Sequence, residues 1–166
     1  MIKQFNFLFV TMFGLGRIGF IPGTFGSLAT VILLFICFHI LSISSDIIFL
    51  ILLITFAYSF IAIKNHTKDI KNKDPGEIII DEFIGQTIPI YLYEISHGTE
   101  KTTDQAMIIY AICFVLFRFF DIKKPFPVSY FDKKQKNSFG VVMDDVCAGF
   151  YVVLSLICFM VIKSYV

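Results

Sequence analysis

The chain has 166 residues, 57% hydrophobic and only 16% charged, with a formal net charge of +1 and a mean hydropathy of +0.79. Soluble domains run about 45–50% apolar and about 25% charged. The excess points to lipid rather than water as the main solvent, the near-zero charge leaves no basic face for nucleic acid, and the length sets a single domain over residues 1–166.

Residues 5–13 (FNFLFVTMF) follow Lys3 and predict a retained membrane-surface helix. No small-residue cleavage site comes next, since the chain continues Gly14, Leu15, Gly16, Arg17. Residues 22–27, Pro-Gly-Thr-Phe-Gly-Ser, predict a tight turn with Ser27 as N-cap of the first long apolar run. Free backbone amides at a helix start attract anions, so Gly23, Thr24, Gly26 and Ser27 are candidate phosphate contacts. The same hexamer equally suits a plain turn and cap. No Lys-Ser/Thr follows to make it a Walker A loop.

Residues 28–43 and 47–63 are long apolar runs, hydrophobic on all sides. A polar break covers 64–77. Residues 78–95 are apolar again but carry Asp81, Glu82, Pro89 and Glu94. After a polar stretch at 96–105, the run 106–120 contains one charge, Arg118. Residues 121–145 are mixed, basic and interrupted by Pro125 and Pro127, and 146–162 is apolar throughout. The pattern predicts an all-α, multihelical integral membrane protein with about four to five short hydrophobic helices. The runs are short against the ~20 residues of a full crossing, which keeps a compact soluble bundle as the alternative. Whether 78–95 crosses or re-enters stays open. Cys37, Cys113, Cys147 and Cys158 sit inside apolar runs without C-x-x-C spacing, so they read as small buried hydrophobes. His39, His66 and His97 form no arrangement that would support a nucleophilic triad.

If the five runs all cross, the basic residues sort unequally. One side receives Lys3, Arg17, Lys64, Lys68, Lys71, Lys73, Arg118, Lys123, Lys124, Lys133, Lys134 and Lys136, and the other only Lys101 and Lys163. That bias predicts which side is cytoplasmic. It also gathers six carboxylates at that face: Asp81, Glu82, Asp121, Asp132, Asp144 and Asp145. One pair alone would equally complement a helix macrodipole. Three clusters at membrane depth are costly unless paired or metal-bound. Oxygen donors in this number suit a hard cation such as Mg2+. Arg118, Asp121 and Lys124, spaced i, i+3, i+6, can share a helix face, and Arg118 with Lys124 can hold phosphate.

Four stretches carry a resemblance to the phosphatidylglycerophosphatase A family: PGTFGSLAT at 22–30, DPGEIIIDEFIG at 74–85, FRFFDIKKPFPVSYFD at 117–132 and FGVVMDDVCAG at 139–149. The resemblance implies a Mg2+-dependent phosphatase of the inner membrane that converts phosphatidylglycerophosphate to phosphatidylglycerol and phosphate. Its acidic motifs fall on Asp81, Glu82, Asp121, Asp132, Asp144 and Asp145, and its basic motif on Arg118 and Lys124. The expected site is therefore a Mg2+ held by Asp81, Glu82, Asp121, Asp144 and Asp145, with Arg118 and Lys124 on the phosphate and a carboxylate directing water. A covalent aspartyl phosphate is a second route, disfavoured because no D-x-D-x-T motif is present. Rival functions are a phosphatase of another lipid phosphomonoester such as phosphatidate, and a non-enzymatic carrier. A carrier would place its charges near the bilayer midplane rather than at segment ends.

Overall fold

The computed structural model of the chain describes residues 2–69, 75–97 and 102–165. Among these, every regular element is helical: α1 (Ile2–Val10), α2 (Pro22–Phe35), α3 (Ser45–His66), α4 (Ile80–His97), α5 (Thr103–Lys123), α6 (Val128–Lys134) and α7 (Ser138–Tyr165). A single 3-10 turn at Leu15–Arg17 precedes α2, and a wide π-type turn at Ile36–Ile40 extends it. Lys71, Lys73 and Lys101, and Asp74 at the head of the second acidic stretch, lie outside the described residues.

Helices α3, α5 and α7 are longer than the apolar runs that predicted them. The run 47–63 lies inside a 22-residue α3, and 146–162 inside a 28-residue α7. Polar residues at the run ends continue the backbone ladder, because charged side chains there can reach outward past the apolar zone. At the start of α5, Thr102 accepts from the Gln105 amide while the Gln105 side chain accepts from the Thr102 amide, a reciprocal cap. The segment Val128–Lys134 is helical too, where the sequence showed only prolines and mixed charge.

Four helical stretches are long and apolar enough to cross a membrane: Pro22–Ile40, Ser45–His66, Thr103–Lys123 and Ser138–Tyr165. Only 22–28% of their apolar windows is buried inside the protein. Ile32, Ile54, Ile108 and Leu154 stand on the outer faces, all more than half exposed. Such a continuous apolar belt is an aggregation hazard in water and the proper surface for lipid. This favours the membrane protein over the compact soluble bundle.

α4 is the exception, because it is surrounded. It packs most extensively on α7 and also touches α2, α3 and α5. Ile84, Gln86, Thr87 and Ile90 are buried along its length. Its first turn lies where α2 begins and α5 ends. At the other end Glu94 meets His39 at 3.3 Å, and Tyr110 donates to the same carboxylate at 3.1 Å. Residues 80–97 are thus one helix through the bundle rather than a re-entrant hairpin. Pro89 withdraws the amide that would bond the Gly85 carbonyl. That carbonyl faces Gly149 of α7, where a Cβ would fall on its oxygen. In return a Cβ on Gly85 would lie 2.5 Å from the Asp145 carbonyl oxygen. Two glycines therefore let α4 and α7 touch backbone to backbone, with Cα–H groups facing carbonyls. This contact sets where Asp145 stands relative to the first turn of α4.

Candidate active site

α4 opens with Asp81 and Glu82, and α7 brings Asp145 against them. Ligand oxygens of the three carboxylates all lie within 4.8 Å of one another. Asp81 and Asp145 are only 6% and 4% exposed, and Glu82 is mostly buried. Like charges this close repel strongly in a poorly polarisable surrounding. Glu82 Oε2 and Asp145 Oδ1 are also buried without a hydrogen-bond partner among the described residues. A buried acceptor left unsatisfied costs about 1–3 kcal/mol, more when charged. Both costs vanish when a hard cation takes these lone pairs, so this donor set fits a divalent metal.

Arg118, near the end of α5, borders the trio. Its Nη1 is 2.6 Å from Asp121 Oδ2 and 3.9 Å from Glu82 Oε1, and donates weakly to Ser27 Oγ at 3.5 Å. Its Nε is buried with no acceptor among the described residues. Asp121 thus fixes the guanidinium, which keeps donor capacity for an oxyanion. Asp121 also lies close enough to Asp145 to interact with it directly. Gly23 makes this possible on the α2 side, since any Cβ there would collide with Glu82 Oε1 and crowd Arg118.

Lys124 and Asp144 form a separate group. Lys124 Nζ is 2.5 Å from Asp132 Oδ1 and 2.9 Å from Asp144 Oδ2. Asp144 Oδ1 accepts from the Asp145 amide at 3.0 Å. Burial alone would lower the Lys124 pKa, but Asp144 and Asp132 reverse the effect and hold it above the ordinary value. The ammonium ties the α5–α6 connection to α7. Of the five expected metal ligands, Asp81, Glu82 and Asp145 converge. Asp121 turns to Arg118 and Asp144 to Lys124. Asp132, the sixth acidic residue, also faces Lys124.

The stretch 22–27 departs from the expectation of a loop. Helix α2 already begins at Pro22, with Ile21 as its N-cap and proline at the first position. Ser27 caps nothing, because its hydroxyl donates to the Gly23 carbonyl at 2.9 Å inside the helix. The Thr24 and Phe25 amides donate to Ile21 O at 3.1 and 3.3 Å. Those of Gly26 and Ser27 lie within the helical ladder, so the anion nest expected over 23–27 shrinks to the Gly23 amide. Proline suits this start because its missing N–H and fixed φ both fit the first turn.

Gln86 escaped the sequence reading. It lies one turn beyond Glu82, is fully buried, and neither side-chain polar atom has a partner among the described residues. Its signal was available as an amide inside an apolar run at i+4 from an acidic residue.

Residues 8–160 match the family model described as phosphatidylglycerophosphatase A. The chain is 39% identical over 142 residues to the phosphatidylglycerophosphatase A of Haemophilus influenzae, covering 86% of this chain and 80% of that protein. The Escherichia coli protein of the same name is 30% identical over 141 residues, 82% of this chain and 73% of its own length. A Bacteroides thetaiotaomicron protein named putative phosphatidylinositol-3-phosphatase is 33% identical over 144 residues, 85% of this chain and 84% of its own. No solved structure matches the chain.

Proposed function

This chain belongs to the phosphatidylglycerophosphatase A family, and we propose that it removes the terminal phosphate of phosphatidylglycerophosphate in a Mg2+-dependent reaction at the cytoplasmic face of the inner membrane. The family makes it a phosphoric monoester hydrolase acting on a phospholipid. The metal reading is carried by one observation: three carboxylates share a pocket with ligand oxygens within 4.8 Å, two of those residues holding buried unpartnered oxygens.

In this reading Asp81, Glu82 and Asp145 hold the cation, which when bound neutralises charge on phosphoryl oxygens. Arg118 binds a further phosphoryl oxygen through donors that Asp121 leaves unused, and Asp121 fixes its orientation. A carboxylate of the site accepts a proton from the attacking water as its oxygen bonds to phosphorus. The bond from phosphorus to the glycerol oxygen breaks, and the leaving alkoxide takes up the proton that this carboxylate received, which restores the carboxylate. Lys124, Asp132 and Asp144 keep α7 in register so that Asp145 meets α4.

The relative named for phosphatidylinositol 3-phosphate favours a second headgroup within the same chemistry. Phosphate release from purified, detergent-solubilised protein decides between them. Phosphatidylglycerophosphate, phosphatidate and phosphatidylinositol 3-phosphate are offered in parallel, with Mg2+ or with a chelator. Mg2+-dependent release from phosphatidylglycerophosphate alone is expected. Release from another lipid would keep the site and overturn the substrate. Equal release with the chelator would overturn the metal.

A further inference from the structure

An apolar groove of about 760 Å3 lies between α1, the turn after it, and α2, lined by Phe9, Met12, Ala29, Leu33, Ile36 and Phe83 among others. Its volume is that of a ligand cavity rather than a packing defect. Thr55 is its one polar lining residue among those described. The groove leads away from the site: Ile80 and Phe83, on either side of Asp81 and Glu82, belong to its wall. On the opposite wall, α2 passes from Gly23, against Glu82 and Arg118, through Gly26, against Ile79, to Ala29, Leu33 and Ile36. At 1.5 Å per residue, Ala29 to Ile36 carries the groove about 10 Å along the helix.

We propose that this groove receives one acyl chain of the phospholipid whose phosphate is bound beside the acidic trio; the proposal rests on the lipid phosphatase reading above. Its continuity with the charged site selects this occupant. A lipid with its phosphate at Arg118 and Glu82 projects its apolar part along the wall that Ile80 and Phe83 begin. Lipid tails are as apolar as the lining, so transfer from bilayer to groove gains little affinity. What the groove supplies is position: a chain seated there holds the phosphomonoester in one approach to the carboxylates. A second groove, of about 440 Å3 between Pro89, Tyr93, Val153 and Leu156, lies at the far end of α4 and serves as its control.

The test uses the full-length protein and two substrates, dioleoyl and dihexanoyl phosphatidylglycerophosphate. Ala29→Trp fills the groove. It should lower the ratio of long-chain to short-chain kcat/KM by roughly tenfold or more, as misplacement of a substrate does. Val153→Trp, in the far groove, should leave that ratio as in the wild type. An unchanged ratio in Ala29→Trp, or the same fall in Val153→Trp, overturns the proposal. A readout independent of turnover is labelling by a phosphatidylglycerophosphate analogue with a diazirine in its acyl chain. Labelling should fall on residues 29–36 of α2 and the turn that extends it, and be displaced by unlabelled phosphatidylglycerophosphate but not by phosphatidylcholine. Displacement by both lipids equally would make the groove a site of bulk lipid only. Loss of turnover in the wild type with selective labelling retained would strike the catalytic reading and leave the groove standing.

Discussion

Asp145 on α7 is 4% exposed and gathers with Asp81 and Glu82, one of its oxygens buried without a hydrogen-bond partner among the described residues. Without a cation, three carboxylates in one pocket destabilise the fold. Asp145→Asn keeps the shape and removes a charge. The metal-free variant should therefore melt at or above the wild type, and added Mg2+ should no longer raise its Tm. The wild type should gain about 2.7 kcal/mol at a hundredfold excess over Kd. Phosphate release should fall by at least ~100-fold. A wild-type Tm indifferent to Mg2+, in protein that remains active, would count against the trio as a metal site. Lys124 makes the opposite case. Its charge compensates Asp144, so Lys124→Ala removes the ammonium that faces a buried carboxylate. Lys124 is itself 26% exposed, which discounts the usual cost of a broken buried pair to about 2–3 kcal/mol. Because the Lys124 pKa is raised from 10.5, its stabilisation is fully present below pH 10.5 and is lost only as pH rises through the raised value. The deficit of Lys124→Ala should narrow only under strongly alkaline melting. The acidic residues were legible because charges stand out in an apolar chain. Their division between a converging trio and a lysine tie was not, because it depends on which helix faces which.

At the scale of elements, the contact that brings α7 to α4 depends on Gly85 and Gly149. A methyl at Gly85 would press on the Asp145 carbonyl and the Phe117 ring, the latter at 2.8 Å. Backbone cannot yield as a flexible side chain can, so Gly85→Ala should cost about 1–3 kcal/mol. That corresponds to several degrees of Tm for a chain of this size, at about 2–4 °C per kcal/mol. Activity measured well below the melting point should fall as well, because Asp145 moves with the α7 backbone that carries it. Gly76→Ala meets only the Pro22 ring, at 3.8 Å, and should be neutral on both counts. A Gly85→Ala variant as stable as the wild type but inactive would separate the two effects. The order of helices was readable from alternating apolar and polar stretches. Their ends were not, since α2 starts at Pro22 and α7 at Ser138, inside segments whose polar residues concealed the helical backbone. Nor could periodicity single out α4 as the enclosed helix: it is the least apolar of the long ones, and its neighbours, rather than its own sequence, keep it from lipid.

For the whole molecule, the end bearing the site also bears the positive charge. Among the described residues Lys3, Arg17, Lys64, Lys68, Arg118, Lys123, Lys124, Lys133, Lys134 and Lys136 lie toward that end, and Lys163 lies toward the other. Such a bias orients membrane proteins with the basic side in the cytoplasm. Thiol labelling of intact bacterial cells tests this orientation. In a background with Cys37, Cys113, Cys147 and Cys158 replaced by alanine, Gly76→Cys marks the site end and Ser164→Cys the opposite end. Both positions are exposed. A membrane-impermeant maleimide should modify Ser164→Cys in intact cells whose outer membrane has been opened. Gly76→Cys should react only once the inner membrane is permeable. The reverse pattern would place the carboxylates outside, beyond the cytoplasmic Mg2+ supply, and overturn the proposed location. Agreement would mean that the charge pattern that inserts the chain also places Arg118 and the acidic trio at the cytoplasmic leaflet.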